Sequence, residues 1–239
     1  MDKNIHLMFP ESWKKESCVL VMSGGQDSTT CLGIALEHFK KVYCITFSYG
    51  QKHTVEIMCA QKIIENFENT TLEIINLEPL KKIGNSALIE GTEQTDVSKE
   101  HATKEGLPAS YVPNRNATFL TLSHAYAQKV GAKFVMTGVC ETDYSGYPDC
   151  RLDFINSLSY TLNIGSNSDI QILTPLMKVD KADTFKLAEE YHVLDEVLGL
   201  SHTCYNGDHS TFHEWGYGCG KCPACELRAK GWKEFLERY

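Results

Sequence analysis

The chain has 239 residues, of which 42% are hydrophobic and 23% charged, and it carries a formal net charge of −8. This composition argues against extensive disorder, and the length suits one large domain with a small appendage. The acidic balance makes long polynucleotides a poor substrate, since a protein that wraps a nucleic-acid backbone presents a basic face.

Residues 1–15 mix Asp, His, Pro, Glu and Trp without an apolar core of signal-peptide length, and no stretch approaches the length of a membrane span. A cytosolic location is expected, with no membrane partner. Cys18, Cys31, Cys44, Cys59, Cys140 and Cys150 are scattered through apolar or turn segments, where reduced cysteines serve as small core residues.

The first predicted strand is the apolar run Cys18 to Met22, followed by Ser23-Gly24-Gly25-Gln26-Asp27-Ser28 and a helical pattern from Thr29 to Phe39. Glycines without a Cβ let the backbone turn sharply and approach a ligand, and the free amides of a helix start attract an anion. Strand, glycine turn and helix together predict a site for phosphate or pyrophosphate, against the plainer reading of a turn with an ordinary N-cap. There is no Gly-Lys-Ser/Thr after a four-residue gap and no Gly-x-Gly-x-x-Gly, which excludes the two commonest nucleotide loops.

Val42 to Phe47 reads as a second strand ending in Ser48-Tyr49-Gly50-Gln51-Lys52-His53, then a helix from about Thr54 to Phe67, then a third strand from Thr71 to Leu77. Alternating strands and helices imply parallel strands joined by right-handed crossovers, with ligands at the carboxyl ends of the strands. From Lys81 to Ser110 the periodicity fades into a polar segment with Gly84, Gly91, Gly106 and Pro108, expected to be a lid or mobile insertion that is poorly ordered without substrate.

Tyr111 to Asn116 leads into a helix over Ala117–Lys129, and Arg115 and Asn116 at its start suit a phosphate or a planar polar ligand. A fourth strand, Phe134 to Val139, empties into Glu141-Thr142-Asp143-Tyr144-Ser145-Gly146-Tyr147-Pro148-Asp149-Cys150-Arg151, which has the make-up of a base-sized pocket rim. A helix from Leu152 to Leu162, a fifth strand from Ile170 to Thr174 and a helix from Lys181 to Tyr191 follow, with Lys178 and Lys181 within reach of a phosphate.

In the tail, Cys219, Cys222 and Cys225 stand at Cys-x2-Cys-x2-Cys spacing, with Cys204 upstream. Four thiols in a cytosolic chain fit the tetrahedral site of structural Zn²⁺. An iron–sulfur cluster is the competing occupant, because thiolates alone do not select the metal. His202, His209 and His213 flank the site as alternatives to Cys204.

The Ser23 to Ser28 loop resembles the signature of the ATP pyrophosphatase (PP-loop) superfamily. With Ser48 to His53, Tyr111 to Asn116, Asp143 to Arg151 and the cysteine tail in order, the chain resembles the 7-cyano-7-deazaguanine synthase family from about Val19 to Arg228. The interval between Cys204 and Cys219, with Asp208 to Tyr217 rich in His and aromatic residues, is longer than the family's usual one.

The resemblance implies a doubly wound α/β fold with a five-stranded parallel sheet, residues 1–200 forming the catalytic domain and 201–239 a zinc-binding tail. It implies a ligase that uses ATP and Mg²⁺ to join ammonia to 7-carboxy-7-deazaguanine and release the nitrile, and a homodimer. The nucleotide would lie along Leu20, Val21, Met22, Ser23, Gly24, Gly25, Gln26, Asp27, Ser28, Thr29 and Thr30. Asp27, Lys181 and Arg115 are the implied catalytic residues. Gln51, His53, Asn116, Asp143, Tyr144, Asp149 and Arg151 are the implied substrate residues, and Cys204, Cys219, Cys222 and Cys225 the metal ligands. A tRNA-thiolating or amidating relative, a protein-modifying relative and a zinc-tailed nucleic-acid binder are the rival readings.

Overall fold

The apolar run after residue 16 is the centre of the molecule. The computed structural model describes residues 9–52, 54–83, 86–89, 96, 99–101, 104–141 and 146–239. In it Ser17–Val21 forms β1, with Cys18, Val19 and Leu20 fully buried. A strand that is apolar on both faces needs cover on both sides, and a parallel sheet wrapped by helices supplies it.

A 3-10 turn, Glu11–Lys15, precedes β1, and α1 (Gln26–His38), β2 (Lys41–Ser48), α2 (Val55–Ile64) and β3 (Thr70–Asn76) follow it. After α3 (Glu78–Ile83) come the short antiparallel pair β4 (Glu100–His101) and β5 (Lys104–Pro108), then α4 (Arg115–Val130) and β6 (Phe134–Met136). A 3-10 turn, Pro148–Cys150, leads to α5 (Leu152–Ser166), β7 (Gln171–Leu173), α6 (Lys181–Glu190) and α7 (Leu194–Gly199). The hairpin β8 (Phe212–His213) and β9 (Gly216–Tyr217) and the last helix α8 (Pro223–Arg238) complete the chain.

The main sheet has the order β3-β2-β1-β6-β7, and every neighbouring pair is parallel. Successive side chains of β1 point to opposite faces. Cys18 and Leu20 join a core with Leu32 and Ile34 of α1, Ile63 of α2 and Leu187 of α6, while Val19 joins one with Leu120 of α4 and Ile155 of α5. The sheet is therefore doubly wound. The chain steps outward from β1 to β3 and then returns to β6 on the other side of β1. This reversal opens a crevice at the carboxyl ends of β1 and β6, the place where such folds bind ligands.

The tail is bound into this body. Phe185 of α6 packs edge-on to Trp232 of α8 at 5.1 Å, and Phe235 completes the cluster. A Cβ on Gly231 would lie 2.5 Å from Cβ of Lys181, so α8 crosses the start of α6 almost backbone to backbone.

Several boundaries differ from the sequence expectation. The helix expected from Ala117 begins at Arg115, because Asn114 adopts the left-handed conformation (φ 56°) that ends the preceding loop. Pairing of the fourth main-sheet strand stops at Met136 rather than Val139, and Gly138 turns toward Asp27. The helix expected to end at Leu162 runs one turn further, to the left-handed Asn167. Part of the polar segment expected to be loose is folded onto the domain: Ala87, Ile89 and Ala109 are buried, and Ala87 N donates to Ala109 O at 2.8 Å.

Leu20→Ala removes a fully buried side chain from the central strand. It is expected to destabilise the protein by about 2–5 kcal/mol, read as a shift of the denaturant midpoint.

Candidate active site and metal centre

The loop between β1 and α1 is built to expose backbone. Gly24 has φ +82°, and a Cβ there would collide with the Glu56 carbonyl and lie 2.8 Å from Ala60 N, so α2 packs directly over it. The Ser23 and Ser28 hydroxyls meet at 3.0 Å, and Ser28 Oγ and Thr29 Oγ1 donate to Gly25 O at 3.1 and 2.8 Å. Thr30 Oγ1 donates to Gln26 O at 3.1 Å, and Thr29 and Thr30 are fully buried, serving the helix from behind. These contacts fix the first turn of α1, whose leading amides have no partner within the helix.

The loop forms one end of a cavity of about 290 Å³. At this end Lys181 Nζ donates to both carboxylate oxygens of Asp27, at 2.8 and 2.6 Å. The pair joins the first helix of the fold to the sixth. The side chain of Gln26 is buried and lines the same cavity, and both its amide atoms lack a partner among the described residues. A buried amide left unpaired is costly in a native protein, so this one calls for a partner such as a water or a bound ligand in the cavity.

The other end of the cavity is aromatic. Phe47, Tyr49, Phe119, Tyr147 and Tyr205 wall it, and Phe47 and Phe119 stack at 4.3 Å with an interplanar angle of 11°. The Arg115 guanidinium lies 5.7 Å from the centre of the Tyr147 ring. Glu56 borders the cavity and is partly buried; desolvation there raises its carboxyl to about 7, against the pull of Arg115. Burial also holds the Tyr49 hydroxyl up at about 12, so it stays protonated.

Of the residues expected from the sequence, Val21, Met22, Ser23, Gly25, Gln26, Asp27, Ser28, Gln51, Arg115, Asn116 and Lys181 line this cavity. Leu20 lies behind it in the core. Gln51 Oε1 accepts from Tyr49 N at 2.8 Å and holds that turn. Asp149 sits one layer back: its carboxylate accepts from Asn116 N at 3.0 Å and Asn116 Nδ2 at 3.2 Å, a negative charge at the start of α4 that seats Arg115 and Asn116. Arg151 is exposed at the start of α5 and is not among the lining residues. His53, Asp143 and Tyr144 lie outside the described residues.

Glu56, Phe119, Thr203 and Tyr205 also line the cavity and were not singled out from the sequence, and His202, read there only as an alternative metal ligand, lines it too. Three of them come from the tail, which reaches the loop directly: His202 N donates to Gly24 O at 2.8 Å. Only Glu56 had a local sign, its place one helical turn beyond the Gln51 to His53 motif.

The sulfurs of Cys204, Cys219, Cys222 and Cys225 all lie within 4.8 Å of one another, with two opposite pairs at 4.0 Å. A tetrahedral ion at about 2.3 Å from each sulfur would set the edges near 3.8 Å, so this group could hold a metal ion almost without adjustment. The neighbouring histidines are engaged elsewhere. His202 Nε2 pairs with Cys204 O at 2.9 Å, His209 Nδ1 with His202 Nδ1 at 3.3 Å, and His213 stacks on Trp215 at 4.4 Å. The segment from Asp208 to Tyr217 is a capped hairpin. Asp208 accepts from the amides and hydroxyls of Ser210 and Thr211, and buried Arg228 donates to Trp215 O, Thr203 Oγ1 and Val197 O at 2.8, 2.8 and 2.6 Å.

Comparison with known proteins agrees with this construction. The family model described as "Queuosine biosynthesis protein QueC" matches residues 17–236. A Wolinella succinogenes protein named 7-cyano-7-deazaguanine synthase is 53% identical over 231 residues, covering 95% of this chain and 96% of that protein. Proteins of the same name from Helicobacter pylori (strain Shi470) and Zymomonas mobilis are 50% and 43% identical, covering 93% and 92% of this chain and 97% and 89% of their own. The chain belongs to the QueC family of queuosine biosynthesis proteins.

Proposed function

We propose that this chain is an ATP-dependent ligase that converts 7-carboxy-7-deazaguanine and ammonia to 7-cyano-7-deazaguanine, through an adenylated acid and then an adenylated amide. The observation that carries the reading is a single cavity lined both by the glycine loop after β1 and by the aromatic side chains Phe47, Tyr49, Phe119, Tyr147 and Tyr205. The names of the relatives support the substrate.

The chemistry requires both ends. A carboxylate is a poor electrophile, because oxide is a bad leaving group. Its oxygen attacks the α-phosphorus of ATP, pyrophosphate departs, and the mixed anhydride accepts ammonia to give the amide and AMP. The amide oxygen is then adenylated in its turn, and AMP leaves with it as the C≡N bond forms.

In this reading the loop amides with Ser23, Gly24, Gly25 and Ser28 hold the leaving pyrophosphate. Mg²⁺ on Asp27 would supply charge neutralisation there, hard carboxylate oxygen suiting that ion. Lys181, now held by Asp27, is positioned to follow the negative charge as it moves onto the pyrophosphate, and Arg115 serves the α-phosphate and the substrate acid. The unpaired Gln26 amide offers its NH2 as donor and its carbonyl oxygen as acceptor to the nucleotide. The deazaguanine lies among Tyr49, Phe119 and Tyr147, and Asp149 acts by seating Arg115 and Asn116.

Zinc is the metal proposed for the four cysteines. The sulfur spacing supports one tetrahedral ion, whereas a four-iron cluster places each thiolate on a separate iron and spreads them farther apart. Residues 1–200 are read as the catalytic unit, and 201–239 as a tail that zinc pins against it. A cytoplasmic homodimer acting on small molecules without nucleic acid completes the reading. Tyr160 and Ile164, 70% and 65% exposed one turn apart on α5, support a contact between copies.

Incubation with Mg-ATP, ammonium and 7-carboxy-7-deazaguanine is expected to yield the nitrile and AMP by mass spectrometry; ADP, or no AMP from metal-loaded protein, would overturn the proposal. Lys181→Met is expected to lower kcat about 10²–10³-fold while the metal content stays unchanged. Elemental analysis should find one zinc per chain, and its removal by a chelator should lower the melting temperature; iron with sulfide would refute the assignment.

A further inference from the structure

We propose that a small annexe of the cavity, beside Glu56, is the binding site for ammonia, and that Glu56 takes the proton that converts bound ammonium into the nucleophile. This rests on the ligase reading above.

The annexe has a volume of about 20 Å³, enough for one molecule the size of water or ammonia. Tyr49, Gln51, Glu56, Leu88, His202 and Tyr205 line both it and the main cavity, so the two adjoin. Lys52 and Cys204 complete its wall. Its polar groups suit a small nitrogen hydride, and Leu88 with the rings of Tyr49 and Tyr205 supplies the apolar part of its wall.

Glu56 stands at the junction with its carboxylate uncommitted. It has no hydrogen bond or ion pair among the described residues, although Asp27, Asp149, Asp180 and Asp208 all have theirs. The groups that face it are Arg115 from α4, Tyr49 and Lys52 from the turn after β2, His202 and Tyr205 from the tail, and Cys59 one turn along its own helix. Arg115 is the permanent charge that opposes its protonation. Burial outweighs it and sets the carboxyl at about 7, where it both accepts and releases a proton at neutral pH.

The step balances. Ammonium gives one proton to the Glu56 carboxylate, and the freed lone pair forms the C–N bond to the adenylated carboxyl carbon. The C–O bond breaks, AMP leaves with its electron pair, and the surplus proton on nitrogen passes to solvent. Glu56 then returns its proton to solvent for the next turnover.

The pH profile separates this route from capture of free ammonia. With the carboxyl at about 7, kcat/KM for total ammonium should rise up to about pH 7 and then level off, since ammonium itself is bound. Without such a base it should climb about tenfold per pH unit through about pH 9, following the free ammonia. Glu56→Gln should convert the first profile to the second and lower the rate at neutral pH about 100-fold. Hydroxylamine, unprotonated at neutral pH, should still give the hydroxamate with the variant.

An unmodified profile that keeps climbing would overturn the proposal, and this measurement stands even if the variant does not fold. Loss of acid-dependent ATP–pyrophosphate exchange in folded Glu56→Gln would also overturn it, by placing Glu56 in adenylation. Absence of that exchange in the unmodified protein would instead sink the ligase reading, and the ammonia site with it.

Discussion

The ion pair between Asp27 and Lys181 holds the site together. Its two residues are 154 positions apart, on the first helix of the fold and the sixth, and meet only because the strand order reverses at β1 and β6. The reversal brings the loop after β1 and the start of α6 to the rim of one crevice. The pair is mostly shielded, with Lys181 only 11% exposed, and a half-pair left in such a place would be costly. In the proposed function, a negatively charged ligand that took over Lys181 would release Asp27 at the same moment.

The tail keeps that arrangement in register. Gly231 lets α8 press on Lys181 itself, His202 ties its amide to Gly24, and Arg228 gathers three separate segments behind Thr203. A metal at the four cysteines would lock Cys204, and through it His202, against the glycine loop after β1. A distant structural metal can in this way govern the geometry of a loop it never touches. The buried guanidinium of Arg228 has no carboxylate partner among the described residues, and its hydrogen bonds go to two carbonyls and a hydroxyl. A metal–thiolate group, with its excess negative charge, is the natural counterweight on the same helix.

How much of this could be read from residues alone depended on locality. The sheet was legible because each strand is a short apolar run ahead of a turn, and the glycine turn into α1 because two glycines and two serines follow β1 at once. The metal cluster was legible from spacing. The aromatic wall was legible only in part: Tyr147 stood in the expected pocket rim, whereas Phe119 and Tyr205 lie on separate segments that share no periodicity with it. Asp149 looked like a ligand for the base because it lies in a polar cluster, yet its oxygens are engaged by Asn116. Arg151 is two residues further on and faces solvent. An isolated segment does not disclose which of its polar residues the fold turns inward. Glu56 was missed for the opposite reason: on a helix it reads as one more surface acid until burial is known.

The proposed two-step activation requires both oxygens of the substrate acid to leave on AMP, one in each adenylation. The direct measurement uses 7-carboxy-7-deazaguanine labelled with ¹⁸O in both carboxylate positions, with AMP, pyrophosphate and water followed by mass spectrometry through complete conversion to the nitrile. Two adenylations place one ¹⁸O in each AMP formed and none in pyrophosphate or water. Label in water, or in pyrophosphate, would contradict the account.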